Sequence, residues 1–194
     1  EQLPIQTYED SPEARGARAL RNVVLDMALT ANVANAAQWA QHQYDNAGCM
    51  TERFGALAAM VNHQVAGVSD YLVDFYERFQ EDDLVIDLWF SVQASADKVN
   101  TDDINALLNH TDFDWNTPNR VRSVISAFTA QPTVLWTSEG LDIYTDVIQR
   151  LDEANPVLAS RLLQVLARWY TLVEPQRQMA HEQLLKLQQQ ASSK

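Results

Sequence analysis

The side chains best suited to chemistry in this 194-residue chain are four histidines, one cysteine and several runs of carboxylates. A zinc hydrolase commonly carries His-Glu-x-x-His on one helix, because that spacing brings two imidazoles to one metal ion while the glutamate acts on the bound water. Here His181 and Glu182 are followed by Leu185 where the second histidine would stand. The histidines, at positions 42, 63, 110 and 181, are too far apart to form a local ligand set. Surface or core histidines are favoured, and no metal site is predicted.

The other potential nucleophiles and acids also lack the partners that catalysis requires. Cys49 adjoins a predicted helix N-terminus but has no histidine near it in sequence. The sequence around Ser69 lacks the second glycine of a nucleophile elbow, so a helix-capping role is favoured. The run Glu81-Asp82-Asp83 is typical of a solvated helix start rather than of two carboxylates opposed across a cleft. No catalytic residue is predicted.

Two arginines lie on predicted helices whose other residues turn toward the core. Arg122 stands between the inward-facing Val121 and Val124, and Arg161 shares a face with Leu162. An arginine in such a place either pairs with a carboxylate as part of the structure or points into a concave, lined space. From the residues alone, structural pairing is favoured.

The composition excludes several classes of function. Hydrophobic residues make up 46% of the chain, and five glycines plus six prolines are too few for the many tight turns of an all-β fold. Acidic residues outnumber basic ones by 26 to 14, so the net charge of -12 repels nucleic-acid phosphates. The longest apolar run is far short of the roughly 18 residues that span a bilayer. Because a single cysteine suits a reducing compartment, we expect a cytoplasmic protein. The negative charge and the lack of a long apolar run predict that it binds neither nucleic acid nor membrane.

Helix signals recur along the whole chain, and no segment convincingly predicts a strand. Apolar residues repeat at helical spacing, and Ser, Asn, Thr or Pro precedes most of these repeats as an N-terminal signal. About ten helices are predicted: Pro12–Leu29; Asn32 to near Gly48; from Thr51; one that carries Val68, Leu72, Phe75 and Phe79; Asp83–Ala94; from Asn100 or Thr101 to Leu108; Thr117-Pro118 to Gln131-Pro132; one after Gly140 that carries Leu141, Tyr144, Val147, Ile148 and Leu151; Asn155 to Trp169; and from Pro175.

Most of the predicted helices are amphipathic, and one is apolar on nearly every side. In the first helix the repeating apolar residues are Leu20, Val23, Val24 and Met27. In Asp83–Ala94 apolar residues occupy nearly the whole circumference, which predicts a central and buried helix. Short connections make successive helices antiparallel, so we predict an all-α, HEAT/armadillo-like superhelical array of stacked pairs. A compact irregular bundle is the alternative, since no residue-level repeat recurs at a fixed period.

Several segments, taken as a set, resemble the C-terminal helical domain of the bacterial aminopeptidase N family, alanyl aminopeptidases of the gluzincin class. In the family's order and spacing, the segments are Arg18-Ala19-Leu20-Arg21-Asn22; Asn46-Ala47-Gly48-Cys49-Met50-Thr51-Glu52-Arg53; Leu84-Val85-Ile86-Asp87-Leu88-Trp89-Phe90 with Gln93-Ala94; Pro118-Asn119-Arg120-Val121-Arg122-Ser123 with Ala127-Phe128; and Asn155-Pro156 with Ala159-Ser160-Arg161-Leu162. As a set they are specific, and they extend roughly from Ala14 to Leu187.

The resemblance implies that residues 1–194 are a single helical domain excised from a longer zinc aminopeptidase. The family's His-Glu-x-x-His zinc site and its Gly-Ala-Met-Glu-Asn motif for the substrate amine are not in this sequence and would belong to an upstream catalytic domain. In the family this helical domain walls and gates a chamber over the active site, so the segment alone would be non-catalytic. Arg122 and Arg161 match family arginines that face the chamber. The implied partners are the upstream catalytic domain and peptide substrates, and the implied cofactor is zinc in the parent enzyme.

The sequence departs from the family pattern at three places. Val157 stands where related enzymes often have glutamine, and Leu88 replaces a common lysine before Trp89. The family loop Phe-His-x-x-Asp-Gly-Ser-Gly-Tyr keeps only Gly140 here. The alternative function is a free-standing helical-repeat scaffold that binds a protein through its concave surface. An upstream reading frame that encodes His-Glu-x-x-His would favour the aminopeptidase over the scaffold.

Overall fold

A computed structural model describes residues 8–190, and these residues form helices and their connections without a strand. The α-helices are α1 (Pro12–Thr30), α2 (Ala36–Asp45), α3 (Met50–Asn62), α4 (Val68–Phe79), α5 (Asp83–Ala94), α6 (Thr101–Leu108), α7 (Pro118–Thr129), α8 (Pro132–Leu135), α9 (Ser138–Ala154), α10 (Pro156–Leu163) and α11 (Gln176–Gln190), with a 3-10 helix at Gln164–Thr171. The predicted all-α class is confirmed. The chain divides into two compact units, Glu1–Asp82 with α1 to α4 and Asp83–Lys194 with α5 to α11. Within residues 8–190, no helix has both the length and the hydropathy that crossing a membrane requires.

The first unit begins with the helix that the sequence predicts. Ser11 caps α1, because its hydroxyl oxygen accepts a hydrogen bond from the backbone N–H of Ala14 at 3.2 Å, and Pro12 occupies the first helical position. The predicted start of α2 at Asn32 is wrong. Asn32 and Asn35 both adopt positive φ, at 50° and 68°, so they form the turn before α2. Asparagine tolerates this left-handed conformation because its short polar side chain can hydrogen-bond locally.

Helix α1 buries a different side from the one that carries its large apolar residues. Leu20, Val23, Val24 and Met27 are exposed to solvent. The buried positions are Ala14, Arg18, Arg21, Leu25, Ala28 and Leu29. The contact of α1 with α2 and α3 is therefore made largely by small residues, two leucines and two arginines.

A buried ion pair joins α1 to α3. Arg21 donates from Nη1 to Oε1 of Glu52, and both side chains are buried. The second carboxylate oxygen of Glu52 accepts from the backbone N–H of Gly48 at 3.0 Å. Gln43 donates from Nε2 to the Glu52 carbonyl at 3.0 Å and to Oδ1 of Asn22 at 2.8 Å. Buried charges are tolerated when they are paired and hydrogen-bonded in this way. We call these four residues the α1–α3 cluster: Arg21, Asn22, Gln43 and Glu52.

The second unit begins with α5, which occupies Asp83–Ala94 as predicted. The expectation of a central, buried helix holds for Trp89 and Phe90, but Leu84 is 71% exposed and Leu88 is also exposed. Its buried residues are Ile86, Trp89, Phe90, Val92 and Ala94. Within this unit α5 packs against α6 and α7, and two neighbouring helices cannot surround a third. Helix α5 therefore has one buried side and one exposed side, although apolar residues occupy most of its circumference.

Side-chain caps begin two further helices where the sequence predicts them. At α6, Asn100 Oδ1 accepts from the backbone N–H of Asp103 at 3.1 Å, and Asp103 Oδ2 accepts from the N–H of Asn100 at 3.0 Å. This reciprocal arrangement is a capping box. At α10, Oδ1 of Asn155 accepts from the backbone N–H of Leu158 at 3.1 Å. Local hydrogen bonds of this kind depend on residues three apart, which is why the sequence pattern predicts them well.

In the second unit one short helix was not predicted, and two predicted boundaries are wrong. The pair Gln131-Pro132 ends α7, but the proline also begins the short helix α8, because its fixed φ suits a first helical position. Helix α9 already includes Gly140, since the hydroxyl oxygen of Thr137 accepts from the Gly140 N–H at 3.0 Å and caps the helix. The helix predicted to reach Trp169 changes from α to 3-10 geometry after α10.

Gly140 lies where α9 passes closest to α8, and we expect Gly140→Ala to destabilise the protein. A Cβ at this position would collide with the backbone carbonyl oxygens of Val134 and Leu135, which cannot move as a flexible side chain can. The expected loss is about 1–3 kcal/mol in the free energy of unfolding, as for other overpacked sites.

Gly16→Ala is the matched control, because Gly16 lies inside α1 and no atom lies within 4 Å of the place that a Cβ would occupy there. This change should stabilise the chain by about 0.5–1 kcal/mol, since alanine loses less backbone entropy in a helix. Urea denaturation followed by circular dichroism measures both. Equal effects of the two substitutions would contradict the assigned packing of α8 on α9.

Candidate functional site

Helix α7 places two arginines, two residues apart, in opposite environments. Arg120 is buried, and its Nε donates to Oδ1 of Asp87 at 2.5 Å. Its Nη1 donates to the carbonyl of Asp112, and its Nη2 lies 3.4 Å from Oδ1 of Asp83. The guanidinium also stacks 4.9 Å from the ring centroid of Phe90. Arg120 is therefore the arginine that pairs with carboxylates inside the second unit, the role that the sequence favoured for Arg122 or Arg161.

Arg122 and Arg161 are both exposed, on α7 and α10 respectively. Arg122 donates weakly from Nη1 to Oδ1 of Asn119 at 3.4 Å. Arg161 does not share the buried face of Leu158 and Leu162, contrary to the expectation from spacing. Among the described residues neither guanidinium forms an ion pair with a carboxylate. Both charged groups can therefore reach molecules in the surrounding solvent.

The structure places these two arginines on helices that pack against different neighbours. Helix α7 contacts α5, α6 and α8, whereas α10 contacts α9 and the 3-10 helix. Each arginine is therefore a separate surface position of the second unit.

A groove of about 610 Å³ lies between α9, α10 and α11. Its lining is mixed, with apolar side chains, two carboxylates, amides and one serine hydroxyl. The lining residues are Ile148, Gln149, Asp152, Glu153, Pro156, Ala159, Ser160, Leu163, Leu184, Leu187, Gln188 and Gln190. Arg161 does not line the groove, although Ser160 does. The lining has no histidine or cysteine to complete a catalytic pair with that serine.

The four histidines lie in separate environments. His63 Nε2 is 2.9 Å from Oδ1 of Asp26, and His42 is exposed on α2. The ring of His110 lies 5.2 Å from that of Trp89, and His181 stacks on Trp169 at 4.6 Å. In residues 8–190 no three His, Cys, Asp or Glu side chains come together as metal ligands. The side chains of the described part of the chain do not fit a zinc site.

The remaining candidate nucleophiles have structural positions. Cys49 is the residue that precedes α3, where it is half-buried. Ser69 is exposed as the second residue of α4 and does not cap that helix, since Gly67 occupies the capping position. The carboxylates of the predicted acidic run are exposed, and Asp83 lies near Arg120 at its periphery. Within the part of the chain that the structure describes, neither Cys49 nor Ser69 is hydrogen-bonded to a histidine in the manner of a catalytic nucleophile.

Two buried tyrosines act as hydrogen-bond donors between helices. Burial raises the pKa of Tyr144, whose hydroxyl donates to the carbonyl of Leu162 at 2.6 Å. Burial, together with the hydrogen bond to Asp74, raises the pKa of Tyr44. The hydrogen bond from Arg78 holds the pKa of Asp74 below its usual range. Both tyrosines therefore stay protonated at neutral pH, and their roles are structural.

Sequence reasoning missed the buried arginines, although helical phase could have identified one of them. Arg120 is four residues before Val124 and one residue before Val121, so it lies on the inward side of α7. Arg122 is out of phase with that side. Arg21 was not recognised because the large apolar residues of α1 are on the opposite side of the helix.

Residues 2–194 match a family described as a domain of unknown function (DUF3458_C) of ARM repeats. The match spans both compact units, and it confirms the armadillo-like class predicted from the sequence. In a solved structure, Legionella pneumophila aminopeptidase A in complex with aspartic acid, a similar fold covers 97% of this chain and 24% of that one. The TM-score is 0.86 and the sequence identity is 26%.

The chain is also similar to full-length aminopeptidases. It is 31% identical over 180 residues to aminopeptidase N of Haemophilus influenzae, and this alignment covers 91% of the chain and 20% of the relative. It is 29% identical over 165 residues to aminopeptidase N of Escherichia coli K12, covering 83% and 19% respectively. The chain thus spans about a fifth of the length of these relatives. From its helices, its ARM-repeat match and these similarities, the chain belongs to the DUF3458_C family and is homologous to the C-terminal region of aminopeptidase N.

Proposed function

We propose that the chain is the C-terminal part of a zinc aminopeptidase that releases N-terminal amino acids from peptides. In this role the domain walls and gates the active-site chamber and is not catalytic by itself. The observation that carries the proposal is the similarity to aminopeptidase N along 91% of the chain. The partners are then the upstream catalytic domain of the same polypeptide, which would hold the zinc ion, and peptide substrates. The proposed location is the cytoplasm.

The exposed arginines of the second unit support a role in handling peptides. A guanidinium presents several N–H donors in one plane, which suits peptide carbonyls and carboxylates. Arg120 satisfies the structural pairing in α7, so Arg122 is not required for it. Val157 is exposed one helical turn before Arg161 on α10, which places an apolar side chain beside a positive charge. Such a pair can contact both a peptide side chain and a peptide carboxylate, and we propose that Arg122 and Arg161 face the chamber.

Arg161→Ala is expected to weaken peptide hydrolysis in the longer polypeptide that carries this domain. The expected change is about 1–3 kcal/mol in transition-state free energy, the range for losing a hydrogen bond to a charged group. The measurement is kcat/KM for a series of peptides of increasing length and for an alanyl amide. Because the amide has no peptide chain to extend along the chamber, its hydrolysis should change least.

Arg15→Ala is the control, because Arg15 is an exposed arginine of α1 in the first unit. This variant should hydrolyse all substrates as the parent polypeptide does. Neither substitution should alter the free energy of unfolding by more than about 0.5 kcal/mol, since both side chains are on the surface. If Arg161→Ala lowers stability and leaves every kcat/KM unchanged, the chamber role is refuted and a structural role is favoured.

A further inference from the structure

Helix α1 exposes a continuous apolar surface along its outer side. The four large residues of this surface, named the α1 stripe, are Leu20, Val23, Val24 and Met27, with exposures of 55%, 55%, 46% and 64%. Gly16 and Ala19 extend the stripe toward the N-terminus of the helix. These residues recur three and four apart, so they share one side of α1 over about 16 Å.

The α1 stripe contains no charged residue that would keep it in water. From Gly16 to Met27 the exposed residues of α1 are apolar, and the half-exposed carboxylate of Asp26 beside the stripe is paired with His63. Isolated apolar residues are normal on protein surfaces, but a contiguous set on one helix face indicates a contact with another element. The opposite face of α1 is already used, since it packs on α2 and α3 through the α1–α3 cluster. The stripe is therefore a second packing face of the same helix.

The last helix of the described residues has the opposite character. The exposed residues of α11 are mainly polar or charged, and they include Arg177, Gln178, Glu182 and Lys186. In arrays of helical repeats, a terminal helix needs such a polar outer face, whereas an internal helix is apolar on both sides because a neighbouring repeat covers it. By this criterion α1 has the surface of an internal helix.

We propose that the α1 stripe is covered by the apolar face of a helix that precedes Glu1 in the same polypeptide. The relatives support this occupant, since the chain spans about a fifth of their length and belongs to a family of ARM repeats. A second copy of this chain is disfavoured, because each copy carries a net charge of -12. A helix joined to α1 by the backbone has a high effective concentration at the stripe. The inference does not depend on peptidase activity or on the role of the arginines.

Oxidation of Met27 by hydroxyl radicals tests the contact without any mutation. The 194-residue chain and the polypeptide extended upstream of Glu1 are oxidised side by side and analysed by mass spectrometry. Met27 should be oxidised readily in the 194-residue chain and several-fold more slowly in the extended polypeptide. Met179, half-buried in α11, provides the internal reference and should react equally in both. Equal oxidation of Met27 in the two proteins would overturn the proposal.

Val23→Asp provides an independent test, with Val73→Asp as its matched control. Val23 and Val73 are both 55% exposed valines within helices of the first unit, α1 and α4. In the 194-residue chain the two variants should melt at the same temperature. In the extended polypeptide Val23→Asp should lower the melting temperature by roughly 5 °C, because the carboxylate would be buried under the covering helix, and Val73→Asp should not.

Two results would contradict the assigned occupant. If the two variants melt alike in the extended polypeptide, nothing from upstream covers the stripe. If the 194-residue chain sediments as a dimer that Val23→Asp dissociates, while the extended polypeptide is insensitive to the change, the occupant is a second copy. Peptidase assays on the same proteins report separately on the proposed function, so failure of one inference is distinguishable from failure of the other.

Discussion

Arg120→Ala is expected to lower the free energy of unfolding by roughly 3–5 kcal/mol, the range for removing one partner of a buried ion pair. The substitution leaves Asp87 half-buried in the second unit without its 2.5 Å hydrogen bond from Arg120. It also removes the donor to the Asp112 carbonyl and the guanidinium from the ring of Phe90. The loss therefore combines an unpaired charge, a lost hydrogen bond and lost packing.

Arg122→Ala provides a close control, because it removes the same side chain from the same helix at an exposed position. Its expected effect on stability is within about 0.5 kcal/mol. Urea titrations monitored by tryptophan fluorescence compare the two variants, since Trp89 and Trp115 lie in the second unit. If Arg120→Ala and Arg122→Ala lower the free energy of unfolding equally, the buried pairing of Arg120 is not a source of stability in this unit.

Glu52→Ala is the second large effect we expect, again roughly 3–5 kcal/mol, because it leaves the buried charge of Arg21 without its carboxylate. The same change deprives the Gly48 backbone N–H of its acceptor. Glu77→Ala, at an exposed position of α4, is the control and should leave stability within about 0.5 kcal/mol of the parent. Thermal and urea denaturation of the two variants measure the difference.

The double variant Arg21→Met with Glu52→Leu separates the cost of an unpaired charge from the cost of lost shape. Replacing both members of a buried ion pair by apolar residues is often much less destabilising than removing one. We therefore expect the double variant to be more stable than Glu52→Ala alone. A double variant as unstable as the single one would show that hydrogen bonds to Gly48, rather than the buried charge, dominate the α1–α3 cluster.

The segments that carry the family resemblance come together in these same clusters. Arg18–Asn22 and Asn46–Arg53 contain three of the four residues of the α1–α3 cluster. Leu84–Phe90 and Pro118–Ser123 contribute Asp87 and Arg120. A buried ion pair allows few substitutions, because each partner needs the other in place. Part of the resemblance therefore lies in residues that hold the helices together.

The sequence by itself determined the local structure of this protein. The all-α class, the bounds of α5 and the caps at Ser11, Asn100 and Asn155 were all predicted. These features depend on residues within about four positions of one another, so periodicity and capping patterns contain the information. Errors such as the start of α2 arose where asparagines adopt left-handed turns, a conformation that the residue type permits but does not require.

The tertiary structure alone decided which side of each helix is buried. Large apolar residues mark the outer side of α1, while alanines, leucines and two arginines mark its contact with α2 and α3. The partner of Arg21 is 31 residues away and that of Arg120 is 33 residues away, at separations that no local pattern encodes. Burial depends on which helices pack together, and a charged residue becomes an interior residue only when that packing supplies its counter-charge. For this reason Arg120, and not Arg122, is the buried arginine of α7.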